Sequence, residues 1–361
     1  MRNKRVIISG GGTGGHLFPA LVLGRKLAQR DSEIELTFVG SGRETERTIM
    51  ARHQVRFFPM RIEGLKSRGR RRLKALALLP GAFLKSLTLL IRIKPALVVG
   101  VGGYSSGPIV LLASWLRIPT LILEQNVRPG FTNRLLLSWV KKAVAAFDAS
   151  LPYLKGKGVC LGNPVREEFH SVAPKKRDGR LALLVFGGSQ GSHFLNRALV
   201  ETLPLLDPVK DRLTIRHQTG ERDLDWVKTS YAGQGVGAAA VAPFFMDMPG
   251  LFAQADLVIS RAGATTCAEL IAARKASILI PFAQAADDHQ AGNAAALKDA
   301  GGAEVLLEGE WTPARLAGMI LALLEHQERL TLMETRLVGL SKEAADEAIA
   351  GLCFELMGTR R

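Results

Sequence analysis

Short apolar runs alternate with amphipathic stretches along the whole chain. In the first half this pattern predicts strands over residues 6–9, 35–39, 97–101 and 120–123, and a helix over 17–29 with Pro19 in its first turn. In the second half it predicts strands over 181–186, 213–218, 239–242, 257–260 and 277–280. Thr312 followed by Pro313 opens a helix as an N-cap does, and 342–357 is helical in composition. Strands alternating with helices argue for the α/β class, with parallel sheets covered on both faces. Ligands of such sheets sit beyond the carboxyl ends of the strands.

Two of the strands run into glycine-rich turns followed by helices. Residues 6–9 lead into Gly10-Gly11-Gly12-Thr13-Gly14-Gly15-His16, and residues 183–186 into Gly187-Gly188-Ser189-Gln190-Gly191-Ser192. Glycine lets the backbone turn tightly near a ligand, and the helix that follows presents free N–H groups to an anion. Two such openings predict two α/β domains, each holding part of an anionic ligand. A length of 361 residues fits two cores better than one. Gly162-Asn163-Pro164 reads as a turn between them.

Three scattered cysteines make neither a disulfide framework nor a zinc site, and the apolar run near the N-terminus is too short for a signal peptide. The formal charge of +15 is concentrated. Residues 61–94 carry ten Lys or Arg against one acid, Glu63, and so hold nine of the fifteen surplus charges. A localised positive block calls for an anionic partner. In the same region Leu73, Leu76, Leu79, Phe83, Leu87 and Leu90 form an apolar helical stripe, interrupted by Pro80, Lys85 and Arg92 before it reaches the length of a bilayer span. Two readings stand: a core helix, or a surface that docks on anionic lipid. Nucleic acid is disfavoured, because aromatic residues are not interleaved with the charges.

Gly10-x-Gly12-x-x-Gly15 formally matches a dinucleotide fingerprint, but the second strand ends in Gly40-Ser41-Gly42-Arg43, without the acid that binds ribose. Ser41 and Arg43 keep an NADP-dependent oxidoreductase open as an alternative. His16 opens a helix beside the first glycine loop, where it either caps the helix or does chemistry near neutral pH. In the second half, residues 260–269 combine small residues, a helix start and Glu269, which suits ribose hydroxyls. Asp287, Asp288, Gln290 and Asn293 form a further polar cluster, with amides suited to sugar hydroxyls. Asp223-x-Asp225 imitates a metal-diphosphate clamp only in its letters. The histidines lack ligand spacing, and no metal site is expected.

The segments GGGTGGHLFPAL (10–21), VGVGGYSSGP (99–108), LEQNVRPGFTNR (123–134), GNPVR (162–166), FGGSQGSHFLN (186–196), RHQTG (216–220), SRAGATTCAEL (260–270) and PFAQAADDHQAGNA (281–294) stand in this order. Together they resemble the MurG family, which moves N-acetylglucosamine from UDP-GlcNAc onto lipid I, the MurNAc-pentapeptide carried on undecaprenyl diphosphate, in peptidoglycan synthesis. The resemblance implies a GT-B fold, two Rossmann-like domains with parallel sheets facing a central cleft. Residues 1–162 would take the lipid acceptor and 163–341 the donor, with a C-terminal helix at 342–361 packing back on the first domain.

On the donor side the resemblance implies Phe244 and Phe245 beside uracil and Glu269 on ribose. Ser189, Gln190, Gly191, Ala264 and Thr265 would take the diphosphate, with Arg166 nearby, and Gln290 and Asn293 the GlcNAc hydroxyls. Thr13, Gly14, Gly15 and Asn126 fall to the donor as well as to the acceptor. The acceptor set is completed by His16, Tyr104 and Glu124. His16 is the expected general base and Glu124 the next choice. Many members of the family carry His where Leu123 stands here, which concentrates the base role on His16. The membrane contact would use Arg70, Arg71, Arg72, Lys74, Leu76, Leu79 and Phe83, joined by Trp115, Lys141 and Lys142.

No cofactor is expected, with stimulation by divalent metal left open. The expected partners are UDP-GlcNAc, lipid I, an anionic membrane surface at the cytoplasmic face and other cell-wall proteins. A UDP-GlcNAc 2-epimerase on the same fold is a further alternative.

Overall fold

Strands form where β-branched and apolar runs are wrapped by helices on both sides, and β1 (Arg5–Ser9) shows why. Val6 and Ile8 point to one face and Ile7 to the other, and all three are fully buried. Helices must therefore cover both faces. A computed structural model describes residues 4–11, 14–60, 62, 70–235, 239–342 and 344–358. It divides into two compact units, Met1–Val165 with Lys342–Arg361, and Arg166–Ser341.

The first unit continues through α1 (Gly14–Arg30), β2 (Glu35–Gly40), α2 (Glu44–Arg52), β3 (Arg56–Pro59), α3 (Arg70–Ile93) and β4 (Leu97–Gly100). It then adds α4 (Ser106–Trp115), β5 (Thr120–Glu124), α5 (Phe131–Leu136), β6 (Lys142–Ala145) and β7 (Gly158–Cys160). All seven strands are parallel, in the order β3-β2-β1-β4-β5-β6-β7. The order reverses between β1 and β4, so the loops after these two strands border the crevice where such sheets bind ligands.

The second unit contains α6 (Glu167–His170), β8 (Leu181–Phe186), α7 (His193–Leu206), β9 (Leu213–Gln218), α8 (Leu224–Gly233), β10 (Ala239–Ala242) and α9 (Met248–Gln254). These are followed by β11 (Leu257–Ser260), α10 (Ala264–Ala272), β12 (Ser277–Leu279), α11 (His289–Asp299), β13 (Ala303–Val305), α12 (Pro313–Glu325) and α13 (Gln327–Val338). Its six parallel strands run β10-β9-β8-β11-β12-β13, with the switch between β8 and β11. Thr312 caps α12, its hydroxyl accepting from the Arg315 N–H at 3.1 Å.

The last helix, α14 (Ala345–Leu356), packs on α1 in the first unit. Ile349, Ala350, Cys353 and Phe354 enter the core there. Each large apolar side chain so buried contributes about 2 kcal/mol. Lys26 pairs with Asp346 at 3.1 Å and Arg30 with Glu347 at 3.2 Å along the edge of the contact.

Candidate active site

In the first unit the glycine loop after β1, the loop after β4 and the start of α1 meet closely. Gly102 has φ +94°, a conformation that side chains rarely adopt, and a Cβ on it would lie 2.7 Å from Cδ2 and Nε2 of His16. The half-buried imidazole is thus seated on the second glycine loop. Gly10, Gly11 and His16, from one segment singled out in the sequence, are brought against Gly102 and Gly103 of another. Tyr104 is half-buried in the same loop. Gly14 and Gly15 begin α1, and Thr13 lies outside the described residues.

Glu124 ends β5 and is 2% exposed. Its Oε1 accepts from the backbone N–H and the side-chain Nδ2 of Asn126 at 3.0 and 3.1 Å. Its Oε2 accepts from the Gly130 N–H at 3.0 Å and from Asn133 Nδ2 at 2.8 Å. Burial pushes the carboxyl above its ordinary range, opposed by these donors. Both oxygens are already turned onto the 126–133 loop. Glu124 therefore holds that loop. Gln125, which the sequence reading passed over, donates to the Val101 carbonyl at 2.9 Å. Among the described residues its buried Oε1 has no donor, and it sits 3.7 Å from the same Cβ position on Gly102.

The tip of β2 answers the dinucleotide alternative. Ser41 Oγ and the Gly42 N–H both donate to Glu46 at 2.8 Å, and Glu46 is 3% exposed. The same carboxylate lies against Gly11. A 2′-phosphate at Ser41 would thus meet a buried negative charge, which disfavours NADP there.

In the second unit, loop 187–191 packs backbone to backbone on residues 219–220. Gly191 has φ +73°, and a Cβ on it would collide with the Thr219 carbonyl. Ser189 and Gln190 stand exposed beyond this contact. Ser192 caps α7, accepting from the Leu195 N–H at 3.4 Å and from Arg261 Nε at 3.0 Å. Gln218 bridges two expected donor segments: Nε2 donates to the Gly188 carbonyl at 2.9 Å, and Oε1 accepts from the Phe245 N–H at 2.8 Å. That N–H is thereby occupied. Phe244 is 47% exposed, its ring open to a ligand.

Glu269, on α10, has a side chain 12% exposed, and Arg166 Nη2 lies 3.4 Å from its Oε1. Burial pushes the carboxyl up to about 7, with Arg166 pulling the other way. Ala264 and Thr265 form the half-buried first turn of the same helix. Gln290 Oε1 accepts from the Phe282 N–H at 3.0 Å. Asn293 is fully buried and donates to the Ala262 carbonyl at 3.1 Å, tying α11 to the loop before α10.

Arg261 was given no role by the sequence reading, although it stands inside a quoted segment. It is 7% exposed, donates to the carbonyls of Ile280 and Pro281 at 3.0 and 3.2 Å, and pairs with Glu308. One guanidinium thereby fixes three loops at the strand ends. Asp223 is buried against His193 and Asn196 at 3.0 and 2.8 Å, and its kinship to a metal clamp ends there. Among the described residues no group of three or more His, Cys, Asp or Glu is placed to hold a metal ion.

For the expected membrane contact, only the backbone of Arg70, Arg71, Arg72, Lys74 and Leu76 in α3 is described. Leu79 and Phe83 are half-buried, and among the described residues Leu84 and Ile91 are exposed large apolar side chains of that helix. Trp115 and Trp139 are each 54% exposed and stacked edge to face at 5.8 Å. Arg117, Arg134, Lys141 and Lys142 are exposed in the same stretch of chain.

Residues 6–145 match the glycosyltransferase family 28 N-terminal domain and residues 182–349 the family 28 C-terminal domain. Two Rossmann-like domains with these strand-end sites define a GT-B glycosyltransferase. A UDP-N-acetylglucosamine–N-acetylmuramyl-(pentapeptide) pyrophosphoryl-undecaprenol N-acetylglucosamine transferase from Myxococcus xanthus (strain DK1622) is 44% identical over 357 residues, covering 98% of this chain and 93% of the relative. The chain belongs to that family of transferases, the MurG family. The crystal structure of Acinetobacter baumannii MurG is similar with a TM-score of 0.79 and 28% identity, covering 98% of this chain and 99% of that one. UDP-GlcNAc 2-epimerase from Neisseria meningitidis, solved with UDP-GlcNAc bound, has a TM-score of 0.66 at 13% identity, covering 97% and 100% of the two chains, and shares the fold alone.

Proposed function

We propose that this protein transfers N-acetylglucosamine from UDP-GlcNAc to the 4-hydroxyl of MurNAc-pentapeptide on undecaprenyl diphosphate, with inversion at the anomeric carbon. The observation that carries this reading is the 44% identity to a transferase of that name over 98% of the chain. The second unit takes the donor. Departing UDP gains negative charge, and donors already fixed in place stabilise it as it develops. The N-termini of α7 and α10 are such donors, with Arg166 beside Glu269. Glu269 receives the ribose hydroxyls, Phe244 lies by the uracil, and Gln290 reads the sugar. Asn293 reads it too, and its amide also holds the loop before α10.

The first unit takes the acceptor. Its hydroxyl must lose a proton as the new bond forms, and His16 removes it. Tyr104 and Asn126 bind the acceptor on the loops that Glu124 and Gln125 hold. The reaction needs no cofactor, and divalent metal at most stimulates it.

The acceptor is a membrane lipid, and among the described residues no helix is long and apolar enough to cross a membrane. The protein docks peripherally at the cytoplasmic face through the basic start of α3, with Leu84, Ile91, Trp115 and Trp139 meeting the headgroup region.

The test is a radiolabelled transfer assay with UDP-GlcNAc and a short-chain lipid I analogue. Label appearing in a β-linked disaccharide lipid supports the reading. Label recovered only in an epimerised nucleotide sugar, or hydride exchange with NADPH, would overturn it.

A further inference from the structure

Beneath the expected diphosphate loop lies a row of buried polar side chains that touches no ligand segment directly. Asn196 of α7 is its hub and is fully buried. Asn196 Nδ2 donates to the Thr219 carbonyl at 2.9 Å and to Asp223 Oδ2 at 2.8 Å. Both partners only accept, so the amide cannot be turned the other way round, and its Oδ1 must face His217 Nε2 at 3.0 Å. Nε2 therefore carries the proton. His217 Nδ1 is then an acceptor, and Tyr231 OH, 3.0 Å away, donates to it. His217 is 0% and Tyr231 3% exposed. Burial pushes the imidazole down to about 3, so this tautomer is neutral throughout the working range. Every donor direction in the row is fixed by the acceptors at its ends.

The row ends on the Thr219 carbonyl, the atom against which Gly191 packs without room for a side chain. The next residue, Gly220, has φ +78° and lies equally close to the Gln190 carbonyl, while its N–H donates to the Pro243 carbonyl at 3.1 Å. Thr219 N–H donates to the Ala242 carbonyl at 3.0 Å. Residues 218–220 thus wedge between loop 187–191 and the segment leading to Phe244.

We propose that His217 and Tyr231, acting through Asn196, are positioning residues that set the Thr219–Gly220 wedge and with it the loop that receives the donor's diphosphate. This rests on the reading that the second unit binds the UDP moiety. The residues act on the donor alone, and neither touches it.

The experiment uses the full chain with His217→Phe, His217→Gln and Tyr231→Phe. It measures UDP binding by calorimetry, steady-state kinetics with UDP-GlcNAc and a short-chain lipid I analogue, and folding by circular dichroism and thermal unfolding. His217→Phe leaves Asn196 Oδ1 without a donor, and it should raise the UDP dissociation constant and the UDP-GlcNAc KM about tenfold, with kcat and acceptor KM within about twofold. His217→Gln keeps an N–H for Asn196 and should recover most of the loss. Tyr231→Phe should weaken UDP binding about threefold. Nitrogen-15 NMR of wild-type protein should show His217 with its proton on Nε2 and no titration between pH 5 and 9.

Folded His217→Phe or Tyr231→Phe protein that binds UDP like wild type overturns the positioning role. So does a uniform loss in kcat and in both KM values. Should His217→Phe not fold, the Tyr231→Phe and His217→Gln results decide alone. Wild-type protein that does not bind UDP overturns the underlying reading as well.

Discussion

Arg166 places Nη2 3.4 Å from Oε1 of Glu269, a carboxylate whose side chain is only 12% exposed. Desolvation pushes Glu269 up to about 7, and the guanidinium offsets only part of this. A carboxylate that accepts from ribose hydroxyls must be ionised, so donor affinity should fall as pH drops through that value. We expect the UDP-GlcNAc KM to rise about tenfold from pH 8 to pH 6, with acceptor KM changing far less. Glu269→Gln should show a high donor KM that is flat over the same range. Initial-rate kinetics across pH 5.5–8.5 check both, and a wild-type donor KM without an acid limb would count against Glu269 as the ribose ligand.

The same shift has a consequence for folding. In the unfolded chain Glu269 ionises near its ordinary value of 4.5, and in the folded protein near 7. Between these values the native state binds more protons than the unfolded state, so this group's contribution to stability falls as pH rises through the window. Glu269→Gln removes the titration. Its stability relative to wild type should improve by about 2 to 3 kcal/mol on going from pH 5 to pH 8. The ion pair with Arg166 exists only in the ionised form, and its effect is already contained in the shifted value, so the difference between the two pH values reads that shift alone. Urea unfolding at the two pH values measures it.

Glu124 holds the 126–133 loop with four donors, two on each oxygen. Glu124→Gln replaces one acceptor oxygen by an NH2 that faces N–H groups. Losing a hydrogen bond and opposing two donors in a buried place should cost about 1 to 3 kcal/mol. Activity should fall through acceptor KM, with UDP binding unchanged. Thermal unfolding and calorimetry with UDP separate these effects. A variant of wild-type stability would show that the four donors matter less than their geometry indicates.

How much of this was legible beforehand depends on burial. β1 and β8 are central strands whose apolar runs are buried on both faces, and they stand in the sequence as unbroken hydrophobic stretches ahead of glycine. The pattern does not mark β3, β7 and β13, which are only three or four residues long and half-exposed, with Pro59, Gly158 and Glu304 diluting it, nor β6, a buried four-residue strand that opens on Lys142 and is half alanine. The glycine loops were readable because backbone approach requires a particular residue type. The directions of polar side chains were not. Spacing places Glu124 at a strand end and Asn293 in the second turn of a helix, but which way an amide or carboxylate turns depends on neighbours distant in sequence, such as Asn133 and Ala262. Gln218, the last residue of β9, could have been suspected as a polar residue ending a strand beside a glycine turn.

Membrane docking should depend on the aromatic pair. Trp115 and Trp139 expose about half of their surface and contact each other at 5.8 Å, near exposed Arg117, Arg134, Lys141 and Lys142. Tryptophan favours the headgroup level, and the cations add attraction to anionic lipid. Trp115→Ala with Trp139→Ala should weaken co-sedimentation with vesicles containing anionic lipid about tenfold, while turnover of a water-soluble acceptor analogue stays unchanged. Raising ionic strength should weaken wild-type binding further. Binding indifferent to both the substitutions and salt would place the contact elsewhere.

The base role proposed for His16 offers the sharpest test, because the position of the ring is tied to one glycine. His16 rests on Gly102, with room for hydrogen and nothing larger. A base acting in the transition state contributes about 10²- to 10⁴-fold, so His16→Ala should lower kcat by that order at saturating substrates while UDP binding stays unchanged. Gly102→Ala reaches the same group by another route. Its methyl would lie 2.7 Å from Nε2 and Cδ2, and the φ of +94° adds about 1 to 3 kcal/mol of strain. The ring must move, so kcat should fall although the histidine is still present. If His16 acts only by packing, His16→Gln should restore the rate, because it fills similar space without a basic nitrogen. If His16 is the base, His16→Gln should be as slow as His16→Ala.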